Sequence, residues 1–248
     1  MKKMVYCGTL LLILLVGNVY SQTPSAAEIL KKADDVMNAP QDQEISAKMM
    51  LIDKGGNENI REMKMYQKGK ETRLVRFLSP ADQKGVSFLS LPDDVQYLYL
   101  PAFHKVRRIA SHVKNDNFAG TDFSYDDMSA SKYSEEYDAV LLEETDESYI
   151  LELIPKKGIE KNYTKLRLWA RKDNFYPLRV EFYDSNLTIC KLFESRNIKK
   201  HGEYWVASEA EMTDIKKEHR TKMIIENIEL DKGLSDDLFT TRNLKRSD

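Results

Sequence analysis

Two periods of hydrophobicity divide the chain. Between residues 25 and 38 the apolar positions Ile29, Leu30, Ala33, Val36 and Met37 recur at helical spacing. Ser25 followed by Glu28 is a capping-box pattern at the helix start, and Pro40 sets its end near Asn38. From Ile45 the period falls to two. Ile45, Ala47, Met49 and Leu51 alternate with Ser46, Lys48, Met50 and Ile52, and the glycine-bearing turn 54–59 leads into a second strand over 60–67. Further strands are predicted at 71–78, 85–91, 95–100 and 105–110, divided by Pro80, Pro92 and Pro101. The run 118–137 breaks the alternation, with Ser124 placed to cap a short helix through Asp127 and Met128. Strands resume at 139–143, 149–154, 164–170, 178–183, 187–193, 204–212 and 221–230, and a helical turn is expected over 234–239.

About ten antiparallel strands behind one amphipathic helix do not make a doubly wound sheet, which alternates strands with helices. The pattern predicts a mainly β, α+β fold in which a single curved antiparallel sheet wraps around helices. No linker and no change of composition interrupts it, so residues 22–248 are read as one domain.

The first 21 residues follow a different rule. Lys2 and Lys3 precede an apolar run that is continuous from Leu10 to Val16, and Ser21, with Val19 two positions before it, suits a signal-peptidase site. The run is shorter than the roughly 20 apolar residues of a membrane span, so it reads as a cleaved export signal. Cys7 lies too early to be a lipid-modified cysteine. The exported chain then keeps Cys190, at an alternating position in an apolar segment, where a small sheet or core residue is expected.

Composition narrows the function. Of the 248 residues 42% are hydrophobic and 31% charged, which favours a packed core over disorder. The formal net charge of -2 lacks the basic excess of a nucleic-acid binder. Zinc-site, P-loop and nucleophile-elbow spacings do not occur, and His104, His112, His201 and His219 are scattered. The acidic pairs Asp93-Asp94, Asp126-Asp127 and Asp236-Asp237 suit turns and caps better than a catalytic dyad. No catalytic residue, metal or cofactor is therefore expected. Lys105, Arg107, Arg108 and Lys114 form a basic stretch that is either a solvated hairpin face or a docking patch for a lipid headgroup, a membrane surface or a partner. Met49, Met50, Met63, Met65, Phe77, Phe88, Tyr97, Tyr99, Phe182 and Phe193 are candidates for a concave apolar surface, or equally for an ordinary core under the helix.

Several strings share an order and spacing with a known family. Arg76 to Pro80 (RFLSP), Lys84-Gly85, Tyr97 to Pro101 (YLYLP), Val106 to Ile109 (VRRI) and Phe118 to Met128 (FAGTDFSYDDM) resemble the outer-membrane lipoprotein-sorting protein family, relatives of the carriers LolA and LolB. The similarity continues through Tyr176-Pro177, Glu181 to Tyr183, Tyr204-Trp205, His219 to Thr221, Phe239-Thr240 and Leu244. Thr121 and Asp126 stand where that family's string has Ser and Glu, and the arginine that holds the lid closed in the lipoprotein carriers has no assigned counterpart here. The resemblance implies an unclosed antiparallel barrel with helices over its open side. Its hydrophobic cavity would shield acyl chains of lipoprotein or lipid cargo in the periplasm. It further implies a monomer that meets an inner-membrane exporter, an outer-membrane acceptor and, transiently, a membrane. An adaptor that docks on an exporter around a filled interior is the competing expectation, and an exported hydrolase ranks below both.

On this reading Met49, Met63, Met65, Phe77, Phe88, Tyr97 and Phe182 line the cavity. The 118–128 string closes it, latched by Arg107 and Arg108 against Asp122, Asp126 and Asp127, unless those acids serve only to cap the short helix. N-terminal sequencing of the exported protein is expected to begin at Gln22; an intact Met1 in the mature form would contradict the export signal.

Overall fold

The computed structural model describes residues 23–129 and 132–246; the export signal and Cys7 lie outside them. The chain opens with helix α1 (Ala26–Met37). The Ser25 hydroxyl accepts the Glu28 N–H at 3.3 Å, and the Glu28 carboxylate accepts the Ser25 N–H at 2.8 Å. Asn38 ends the helix by donating its backbone and side-chain N–H groups to the Asp34 carbonyl.

Six strands then run as a meander: β1 (Asp42–Ile52), β2 (Glu58–Lys68), β3 (Thr72–Ser79), β4 (Ser87–Leu91), β5 (Val95–Leu100) and β6 (Lys105–Arg108). A crossover of irregular chain follows, ending in the single turn α2 (Tyr133–Glu136). Seven more strands form a second meander: β7 (Tyr137–Glu144), β8 (Ser148–Pro155), β9 (Lys165–Arg171), β10 (Pro177–Tyr183), β11 (Ile189–His201), β12 (Tyr204–Asp214) and β13 (His219–Leu230). All neighbours are antiparallel, in the order β6-β5-β4-β3-β2-β1-β13-β12-β11-β10-β9-β8-β7. The first and last strands pair, from Gln43 with Leu230 to Ile52 with Arg220, and fuse the meanders into one sheet whose edges, β6 and β7, stay apart. The sheet is thus an unclosed barrel of thirteen strands rather than about ten. Even the short segments between Pro80, Pro92 and Pro101 find partners, because each is only one hairpin away from the next.

Curvature follows from packing and from bulges. Register shifts at Ser46/Ala47, Glu62/Met63, Leu141/Glu143, Pro177/Arg179 and Phe182/Tyr183 bend the strands. One hydrophobic cluster accordingly takes residues from both halves of the sheet, Met49, Phe77 and Phe88 from one and Leu151, Leu168 and Val180 from the other, together with Ile29 and Leu30 of α1. α1 packs against α2 and strands β7, β8, β9 and β12. The helix buries Ile29, Leu30 and Ala33 as expected, but Asp34 rather than Val36 takes the next inward position. Its carboxylate accepts the backbone N–H groups of Tyr133 at 3.1 Å and Ser134 at 2.6 Å, so the buried charge caps α2.

A second, smaller core covers the outer face of β2 to β5. The chain leaves β13 through a turn in which the Asp42 carboxylate accepts the N–H groups of Lys232, Gly233 and Leu234. It then lays Phe239 and Leu244 on Tyr66, Leu74, Leu89 and Tyr99. A helical turn over Asp236–Phe239 begins this cover, capped by Ser235.

Ile29→Asp puts an unpaired carboxylate into the main core and is expected to remove several kcal/mol, on the order of 3. Asp34→Ala should cost about 2 kcal/mol by orphaning two buried N–H groups. Chemical denaturation and binding of a hydrophobic dye test both; wild-type curves for Ile29→Asp would refute the packing of α1.

Candidate functional site

β6 and β7 lie at opposite edges, so the crossover joining them spans the concave face. Phe118 anchors its first half. Its ring is fully buried and stacks on Phe77 at 5.5 Å, with Phe88 at 5.7 Å. Arg61 donates to the Ala119 carbonyl at 2.7 Å. Asp122 ties the same stretch to the far strands: its carboxylate accepts the Thr221 hydroxyl at 2.7 Å and meets His219 Nδ1 at 2.6 Å, and its carbonyl accepts Lys191 Nζ at 2.7 Å. Under this half the interior is filled.

The second half of the crossover roofs a cavity of about 250 Å³. Its floor is apolar, drawn from Ile45 (β1), Met65 (β2), Phe182 (β10), Phe193 (β11), Met212 (β12) and Ile225 (β13). Its roof comes from Met37 of α1, from Phe123, Asp127, Met128 and Tyr133 of the crossover and from Tyr137 at the start of β7. Ser124 and Asp127 cap each other reciprocally at 2.7 and 3.0 Å, so the capping expected from sequence is formed, around a turn rather than a helix.

Two cationic contacts hold this roof down. Arg73 of β3 donates to the carbonyls of Ser129 at 2.7 Å and Met128 at 3.3 Å, braced by Gln67. Among the described residues no carboxylate meets it, and burial alone lowers its pKa to about 10. Lys161, its side chain 8% exposed, bridges Asp126 at 2.6 Å and Glu136 at 2.7 Å. Burial opposes the Lys161 ammonium, but the two acids outweigh it and leave its pKa raised. Burial raises the Glu136 carboxyl against the pull of Lys161, and it raises Asp127 as well. The phenols of Tyr133, Tyr137 and Tyr163, all lining the cavity, are also pushed up by burial.

The expected site residues divide accordingly. Met65 and Phe182 line the cavity. Met49, Met63, Phe77 and Phe88 face the same side of the sheet but are sealed in the packed core beside Phe118. Tyr97 is displaced altogether: β5 turns Gln96 inward, and Tyr97 joins the outer core with Leu89 and Tyr99. The Arg107 and Arg108 latch is not formed. Both arginines are exposed on the edge strand, and Asp122, Asp126 and Asp127 are engaged instead by Thr221 and His219, by Lys161, and by Ser124. Arg73 and Lys161 take the latching positions. Pattern does not single them out, because a lone basic residue in a strand or a turn reads as solvated. Cys190 is half-buried against the Phe182 carbonyl, and burial pushes its thiol pKa up.

An open-sided antiparallel barrel with a roofed apolar cavity defines a class of protein, and comparison with known proteins gives the same class. A family model described as that of an uncharacterized protein matches residues 69–246. A domain from Vibrio parahaemolyticus, described as an outer-membrane lipoprotein-sorting protein domain, is 29% identical with a TM-score of 0.81, covering 89% of this chain and 98% of that one. A DUF1329 family protein from Desulfovibrio piger is 30% identical with a TM-score of 0.81, covering 90% and 100%. A LolA superfamily protein from Nitrosomonas europaea shares the fold at 21% identity and a TM-score of 0.74, covering 89% and 100%. No curated protein matches the chain. The chain belongs to the DUF1329 family, and it shares its fold with the LolA superfamily protein. Among the described residues no helix is long and apolar enough to cross a membrane.

Lys161→Met strands two partly buried carboxylates and is expected to cost about 3 kcal/mol at neutral pH. The pKa of Glu136 is raised in the folded state, so protons bind there more readily than in the unfolded chain, and acidification favours the fold at this point. The deficit of the variant against wild type should therefore narrow as pH falls through the raised Glu136 value. Denaturant midpoints measured at neutral and acidic pH check the sign.

Proposed function

We propose that the protein is a carrier, exported to the periplasm, that shields acyl chains of lipoproteins or other lipids on their way toward the outer membrane. The observation that carries this reading is the 250 Å³ cavity with its apolar floor. Each CH2 moved there from water contributes roughly 0.8 kcal/mol, and the space equals about eight water-sized groups, enough for a stretch of one chain. A larger cargo requires the roof to lift. The contacts of Arg73 and Lys161 resist that movement without covalent restraint, so binding and release are coupled to the crossover. The export signal predicted over residues 1–21 and the similarity to a lipoprotein-sorting protein domain support this location and role. The carrier acts as a monomer without cofactor, receives cargo from an inner-membrane exporter and yields it to an outer-membrane acceptor or to the membrane itself.

Ala210 borders the cavity, where a large side chain displaces cargo without entering the packed half of the core. Ala210→Trp should weaken uptake of a fluorescent acyl lipid by about tenfold or more while leaving the melting temperature within a few degrees of wild type. Unchanged uptake in a folded variant, or no uptake by wild type, would favour the docking adaptor.

A further inference from the structure

Three phenols around the cavity are left incomplete by the packing. Tyr133 and Tyr137 flank the turn of α2, their ring centroids 6.1 Å apart. Tyr163 precedes β9, its ring 4.8 Å from that of Phe182 on the floor. Tyr176, also at the cavity, has its hydroxyl engaged by the Ala207 N–H at 3.2 Å. Among the described residues the hydroxyls of Tyr133, Tyr137 and Tyr163 have no hydrogen-bond partner. All three line the same cavity as Asp127. As phenols they are protonated, and so hydrogen-bond donors, at neutral pH.

Donors that open onto an apolar cavity are free to meet an acceptor carried by whatever occupies it. A hydrocarbon chain alone supplies none. A carboxylate would enter beside Asp126, Asp127 and Glu136, with Lys161 already shared between two of them. A neutral carbonyl oxygen, with two lone pairs and no charge, meets the requirement.

We propose that Tyr133, Tyr137 and Tyr163 form a carbonyl-binding site that recognises the acyl linkage, the ester or amide C=O at the head of a chain whose hydrocarbon lies along the floor. The inference rests on the carrier reading of the same cavity and adds the chemical group that is recognised. Displacement of Nile red by monopalmitoylglycerol and by its hexadecyl ether, which differs by the missing carbonyl, tests it on the mature protein. Wild type should bind the ester about fivefold tighter or more, the worth of one net hydrogen bond. The double variant Tyr137→Phe, Tyr163→Phe should bring the ester down to the affinity of the ether and leave the ether unchanged, which also shows that the variant is folded. N-palmitoylethanolamine, run alongside, separates the two sources: tracking the ester, it extends the site to amides such as an acylated N-terminus; tracking the ether, it confines the site to esters. Equal affinity of wild type for ester and ether, with both bound, overturns the carbonyl site and leaves the carrier standing. Displacement by none of the three overturns both.

Discussion

Neighbours in sequence are placed at opposite edges of the sheet, and the molecule is organised around that constraint. β6 and β7 have all eleven other strands between them, so the chain that joins them must travel across the concave face. It cannot do so as bare backbone, because its polar groups would be buried without partners. The crossover therefore comes with its own satisfaction: Arg61 and Arg73 on its carbonyls, Asp34 on its N–H groups, and Lys161 on its acids. The same segment that closes the interior is thus held by both kinds of contact: Phe118, Phe123 and Met128 in the core, and these polar groups on its backbone and acids.

Packing divides the interior into unequal halves. Beside β3 and β4, Phe118 fills the space with stacked aromatic rings. Beside β10 to β13, residues such as Ala210, Met212 and Met223 leave room, and methionine side chains adapt to whatever occupies it. Rigidity at one end gives the crossover a fixed root, while the open end keeps the volume.

Much of this arrangement was legible in residue order. All thirteen strand segments could be marked from alternation and from the prolines between them, and α1 from its cap and period. Which face of a strand turns inward was less accessible, since it depends on whether a second layer covers the outside. Tyr97 shows the difficulty: it alternates as an inward residue would, yet the C-terminal segment supplies an outer core that makes its face apolar as well. The latch was misplaced for a related reason. Arg107 and Arg108 are close in sequence to the aspartates, but β6 ends on an edge and points them into solvent. Arg73 and Lys161, from β3 and the approach to β9, reach the crossover through the curvature of the sheet, which no local pattern encodes.

The pairing of β1 with β13 bears on how the molecule is made. Every other ladder joins strands adjacent in sequence and can form as a local hairpin, whereas this one must wait until nearly the whole chain is present. Such a high contact order slows folding and leaves two meanders with unpaired edges in the meantime. A chain emerging N-terminus first would hold β1 as an open edge until β13 arrives. The interval before β13 joins is therefore the period of greatest exposure to aggregation, and it ends only when the last strand of the sheet takes its place beside the first.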